Sequence, residues 1–158
     1  MSFRLAAYAV CFDEADRILL ARCVSPDGQS TWMLPGGKVE HTEDPFDAVI
    51  REVTEETGYE ALVERLLGVD SRTIPLPELT VPGPVPHQNV GIYYRVCITG
   101  GELRPEVDGS TVEAAWTPVA EVAELRRSSL VDVGLELARS TPPTGHVAPV
   151  PTGGLIRH

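Results

Sequence analysis

The chain has 158 residues and carries 13 basic against 23 acidic side chains, a formal net charge of −10. That length suits a single domain with a real core. The charge opposes a general basic surface for nucleic acid or anionic membrane, but not a small anionic substrate, because a bound cation inverts the field locally.

In chain order, the apolar run from Phe3 to Phe12 predicts a strand. Asp13 to Asp16 reads as a turn and Arg17 to Cys23 as a second strand, so the pair predicts a hairpin. Ser25 to Ser30 is a loop, and a helix is expected between Asp44 and Gly58. Ala61 to Arg72 predicts another strand. From Ile74 to Gln88 the chain holds Pro75, Pro77, Pro82, Pro84 and Pro86, which predicts an extended, stiff loop. Val90 to Ile98 has the composition of a central strand, Gly100-Gly101 of a turn, and Val112 to Thr117 of a short strand. Pro118 to Leu125 and Leu130 to Arg139 read as helices. There is no internal repeat.

The helix near the middle carries the chemistry. Asp44 is a good N-cap, and Pro45 follows where its missing N–H costs nothing. Phe46, Val49, Ile50 and Val53 recur at helical spacing and predict one apolar stripe, and Gly58 suits the C′ position. At about 100° per residue, Glu52, Glu55 and Glu56 share one sector beside that stripe. Three such carboxylates repel one another. A divalent cation resolves the conflict, and hard oxygen ligands suit Mg²⁺ or Mn²⁺. The plainer alternative is a solvated acidic face in which Arg51 pairs with Glu55 one turn away.

Residues 37–59 read GKVEHTEDPFDAVIREVTEETGY. This run resembles the signature of the Nudix hydrolases: Gly37, five residues, Glu43, seven residues, then Arg51-Glu52-Val53-Thr54-Glu55-Glu56-Thr57-Gly58 and a final apolar position, here Tyr59. The run Trp32 to Glu40, with Gly36-Gly37, resembles the usual entry to that box. The resemblance covers about residues 3 to 140. It implies an α/β fold, an α/β/α sandwich with a mixed β-sheet between helices, and a hydrolase that cleaves a diphosphate joined to another group. It also implies metal ligands at Glu52, Glu55 and Glu56 with the Gly37 carbonyl, and a structural Glu43–Arg51 pair. The base that activates water would be Glu55, or an acidic residue on a later loop, where Glu106, Asp108 and Glu113 stand.

The substrate class is less sharply drawn. The first reading is a nucleoside diphosphate linked to another group, such as ADP-ribose or a nucleotide sugar. The alternatives are a nucleoside triphosphate pyrophosphatase and a ligand-sensing module without turnover. Pro75 lies near the spacing seen in some ADP-ribose hydrolases, whereas the motifs of the NADH-cleaving and coenzyme A branches are absent. Tyr8, Trp32, Tyr93 or Tyr94 could stack on a base, though packing explains each equally well. His87 could touch substrate or be an ordinary loop residue. Cys11, Cys23 and Cys97 are widely spaced with no zinc pattern, and read as free thiols in a reducing, cytoplasmic setting. No signal-peptide pattern or long apolar span appears. The expected organisation is a hydrolase domain over 1–140 and a Pro/Gly-rich tail over 141–158. That tail has too little apolar content to order itself. Val147, Val150, Leu155 and Ile156 are its candidate anchors, against its own domain or within a homodimer.

Overall fold

The computed structural model describes residues 2–25, 27–74 and 87–150. Among the described residues, seven strands and two α-helices follow in order: β1 (Ser2–Val10), β2 (Arg17–Val24), β3 (Ser30–Met33), β4 (Gly36–Lys38), α1 (Pro45–Thr57), β5 (Tyr59–Ile74), β6 (His87–Gly101), β7 (Thr111–Pro118) and α2 (Ser129–Ser140). A 3₁₀ helix, Val119–Glu124, joins β7 to α2. The proline-rich stretch 75–86 and the proposed anchors Leu155 and Ile156 lie outside the described residues.

The architecture is the expected mixed sheet between helices. The main sheet has the order β4-β1-β6-β5; β1 runs parallel to β6 and antiparallel to β4, and β5 runs antiparallel to β6. From Ala6 to Val10 β1 is buried on both faces, which is why that part of its sequence is a continuous apolar run, while Phe3 at its start is exposed. Ala6, Tyr8 and Val10 face Leu130, Val133 and Leu137 of α2. Ala7, Ala9 and Cys11 face Ala48, Val49 and Val53 of α1. Successive residues of a strand point to opposite sides, so one strand serves both helices.

A second sheet, β3-β2-β7, was not anticipated. The expected hairpin exists only at its turn, where Asp13 N donates to Arg17 O at 3.0 Å and Leu19 N donates to Cys11 O at 3.0 Å. Beyond that point β1 and β2 part into different sheets. β2 instead pairs with β7 from Arg17↔Pro118 to Cys23↔Thr111. The two sheets are joined by Trp116 Nε1, which donates to the Tyr59 hydroxyl at 3.0 Å. Where the sequence predicts a helix over Pro118 to Leu125, the chain is 3₁₀ rather than α, over Val119–Glu124, closing with Leu125 N to Val122 O at 3.0 Å.

After α2 residues 141–150 stay against the domain. Thr141 caps the helix in the left-handed region, at φ 38°. Gly145 then meets Gly68 so closely that a Cβ on Gly68 would run into the Gly145 carbonyl. That carbonyl accepts from Val69 N at 2.9 Å, Val147 is buried in the α2-side core, and Val150 packs against the same core. Residues 141–150 therefore form a strap held by their own chain. Cys11, Cys23 and Cys97 are free thiols. No described helix is long and apolar enough to cross a membrane.

Candidate active site

α1 starts and stops where its caps dictate. Asp44 Oδ1 accepts from Phe46 N at 2.8 Å, Pro45 opens the helix, and Gly58 ends it at φ 84° with its N–H donating to Thr54 O. Val49 and Val53 are fully buried as expected. Phe46 is not: it is 45% exposed and lies edge-on to Tyr94, with ring centroids 6.3 Å apart. At the first turn the helix has not yet reached the cover of the sheet, and Ala48 occupies the buried place.

The buried stripe runs on from Val49 and Val53 into Glu56. This grades the three carboxylates by depth. Glu56 is 8% exposed, and its Oε2 accepts from Gly36 N at 3.1 Å. The Glu52 side chain is 13% exposed and that of Glu55 is 49% exposed. Burial pushes the Glu56 carboxyl well above its ordinary range, with Glu52, Glu106 and Glu55 adding repulsion. Burial also raises Glu52; Arg51 opposes that shift, while Glu55 and Glu106 reinforce it.

β4 supplies the facing wall. Its glycines pair with β1 at Ala7↔Gly37 and Tyr8↔Gly36. A Cβ on Gly37 would sit 2.7 Å from Glu52 Oε1, so any side chain there would have to push the Glu52 carboxylate from its place. Gly36 holds φ 149°, and a side chain there would strike the carbonyl of Ala7.

Arg51 spans the cluster. It grips Glu43 with two bonds, Nε to Oε2 at 2.8 Å and Nη2 to Oε1 at 2.9 Å. Its Nη1 also donates to Glu52 Oε1 at 3.1 Å and to Glu55 Oε2 at 3.2 Å, and Nη2 reaches the carbonyl of Lys38. The Arg51 bonds hold the Glu43 carboxyl down at about 2. One guanidinium thus stands against Glu43, Glu52 and Glu55, and Glu56 adds a fourth acid beside Glu52. That surplus of negative charge, with Gly37 leaving backbone close to Glu52, is the chemistry a hard divalent cation would satisfy. Among the described residues no group of three or more His, Cys, Asp or Glu side chains is gathered closely enough to hold an ion by itself.

The loop after β6 closes over the end of α1. Arg104 donates to Glu55 O at 3.1 Å and to Thr54 O at 2.9 Å, and its own N–H meets Thr57 O at 3.0 Å. A guanidinium on the last carbonyls complements the negative end of the helix. Sequence reasoning missed this contact; no spacing ties Arg104 to a helix about fifty residues earlier. Docked in this way, the loop brings Glu106 into the field of both Glu52 and Glu56. Glu106 Oε2 accepts from Thr111 N at 2.8 Å. Asp108 sits at the exposed loop tip with φ 55°. Glu113 lies on β7 and pairs with Arg22 at 2.9 Å, with its side chain 48% exposed.

Of the candidate aromatics, Tyr8 and Tyr93 are fully buried and stack in a tilted pair 5.3 Å apart. Trp32 is partly buried against the α2-side core.

The chain matches the family model of the NUDIX domain over residues 2–133. Fold, box and match agree: the protein belongs to the Nudix family. It is 33% identical over 112 residues to the human "8-oxo-dGDP phosphatase NUDT18", a match that covers 70% of this chain but 31% of the relative. This chain thus corresponds to under a third of that protein. Among solved structures, a NUDIX hydrolase from Nitrosomonas europaea aligns with a TM-score of 0.75 at 22% identity, over 90% of this chain and 92% of the other. The NUDIX domain of Shewanella oneidensis NrtR, solved with ADP ribose, aligns with a TM-score of 0.63 at 19% identity, over 88% of each chain.

Proposed function

We propose that the protein is a divalent-metal hydrolase that cleaves the diphosphate linkage of a nucleoside diphosphate joined to another group, of the ADP-ribose or nucleotide-sugar type. The observation that carries the reading is the depth-graded carboxylate set on α1, with Glu56 sunk against Gly36 N and Glu52 pressed on Gly37. Glu52 and Glu56, with the Gly37 backbone, would hold Mg²⁺ or Mn²⁺, and Glu55 would complete the set from the solvent side. The ion, when bound, polarises phosphoryl oxygens and acidifies water. The protein's own part is to fix those oxygens' neighbours, to neutralise surplus charge through Arg51, and to offer a proton acceptor. Glu55 and Glu106 suit that last role. The Arg22 pairing of Glu113 argues for a structural task there.

A panel of nucleotides incubated with Mg²⁺ or Mn²⁺ tests the reading. Two monophosphates from an ADP-ribose or nucleotide-sugar substrate are expected. No turnover of any diphosphate compound with either ion would sink it. A second reading draws on the relative named an 8-oxo-dGDP phosphatase: the substrate would be a free, modified nucleoside diphosphate, and the products a monophosphate and orthophosphate. A triphosphate pyrophosphatase would instead release pyrophosphate.

A further inference from the structure

On the α2-facing side of the main sheet, beyond the tyrosine pair, polar side chains form a row across three strands. The pairing register sets Arg4 of β1 beside Asn89 of β6, and Asn89 beside Arg72 of β5. Two residues along on the same face come Ala6, Gly91 and Asp70, and after them Tyr8, Tyr93 and Gly68. The middle row is nearly bare: a Cβ on Gly91 would fall 2.8 Å from Tyr8 Cε2 and 3.1 Å from Tyr93 Cε1. Both rings therefore lean over Gly91 toward Asn89. Asn89 Nδ2 donates to the Tyr8 hydroxyl at 3.3 Å.

Three atoms here have no partner among the described residues: Asn89 Oδ1, the Tyr93 hydroxyl and Arg4 Nε. Asn89 is 1% exposed and Tyr93 0%. Each buried polar atom left unpaired costs on the order of 1–3 kcal/mol, and native proteins rarely gather several in one place. Arg4, Asp70 and Arg72 around them are half-buried, so a polar floor meets a partly exposed rim, with His146 of the strap close enough to act on Asp70. The row is also continuous with the carboxylate site. Tyr8 pairs with Gly36, whose N–H binds Glu56, and Tyr8 lies four residues from Arg4, about 13 Å along a strand.

We propose that Asn89, Tyr93 and Arg4 form a specificity subsite for the part of the substrate beyond the diphosphate, binding a neutral group that carries a hydrogen-bond donor beside an acceptor. The amide edge of a nucleobase and the vicinal hydroxyls of a sugar both have that chemistry. Asn89 Oδ1 accepts, Arg4 Nε donates, and the Tyr93 hydroxyl does either. The proposal rests on the diphosphate-hydrolase reading for its reaction, but not for its binding.

Tyr93→Phe removes only the unpaired hydroxyl, and Asn89→Leu removes the acceptor at similar volume. A purely structural hydroxyl predicts that Tyr93→Phe raises the melting temperature and leaves kinetics unchanged; that result overturns the proposal. The subsite predicts the same gain in melting temperature with KM raised about ten-fold and kcat within two-fold, the loss of one hydrogen bond to substrate. Asn89→Leu should raise KM at least as much. A rise shared by every substrate with one base assigns the base edge. A rise confined to sugar-linked substrates assigns the sugar. Calorimetric titration with AMP, GMP, UMP and ribose 5-phosphate, in chelator, separates the subsite from the reaction. Binding weakened by Tyr93→Phe supports the subsite even if no substrate is turned over. No binding and no turnover by the wild type overturns both.

Discussion

At the scale of single residues, depth is what separates three glutamates of the same type. Glu52→Gln and Glu56→Gln keep shape and remove charge from positions 13% and 8% exposed. Each should lower turnover by at least roughly a hundred-fold in Mg²⁺, the scale of losing a strong electrostatic group. Circular dichroism should be unchanged; wild-type rates in both variants would contradict the assignment. The Glu43–Arg51 pair makes a pH prediction. Glu43 titrates at about 2 in the fold, against an ordinary value of 4.5. A depressed acid contributes stability above its unfolded value and loses it as pH falls from 4.5 toward 2. Denaturant midpoints of the wild type and Glu43→Gln should therefore differ at pH 6 and converge near pH 2. The sequence displayed these residues in full, because the box fixes identity and spacing together. It offered Glu106 only as one of three later acids and did not display Arg104, because both roles depend on where a loop lands.

Among the elements, α1 was the most legible, since Asp44, Pro45 and Gly58 mark both of its ends. β3 and β4 escaped because strands of four and three residues, separated by Leu34-Pro35, show no period. The division into two sheets escaped for another reason. Apolar runs report burial, and β1 and β2 are both buried, but no local pattern says which strand pairs with which. The loop that follows β6 is held to α1 by Arg104, so Arg104→Ala should do two things. It should lower the melting temperature by a few degrees through the lost helix cap. It should also lower kcat by displacing Glu106. Lysine at 104 should recover stability better than rate, because one ammonium cannot reach both carbonyls in a fork.

For the molecule as a whole, the question is whether the two sheets unfold together. Both tryptophans, Trp32 and Trp116, belong to the smaller sheet, while the helices flank the larger. The Trp116–Tyr59 bond and the shared contact of α1 with β7 tie them. Tryptophan fluorescence and far-ultraviolet dichroism should give coincident urea transitions; separated midpoints would show the smaller sheet melting alone. The strap belongs to this scale too. Burying Val147 contributes about 1.5–3 kcal/mol, so truncation after Ser140 should lower the melting temperature by roughly 5 °C or more.

That strap has a consequence outside stability. β5 is a border strand of the main sheet and leaves Leu62, Leu66 and Val69 largely uncovered. A bare border of this kind is a template on which another chain can extend the sheet. The Gly145 carbonyl takes the Val69 N–H for itself, blocking that template in its middle. Ten residues, three of them proline, thus stand where an added strand would pair, and the expectation is that they guard against aggregation. Chains ending at Ser140 should form large species on gel filtration under conditions where the intact protein keeps a constant mass.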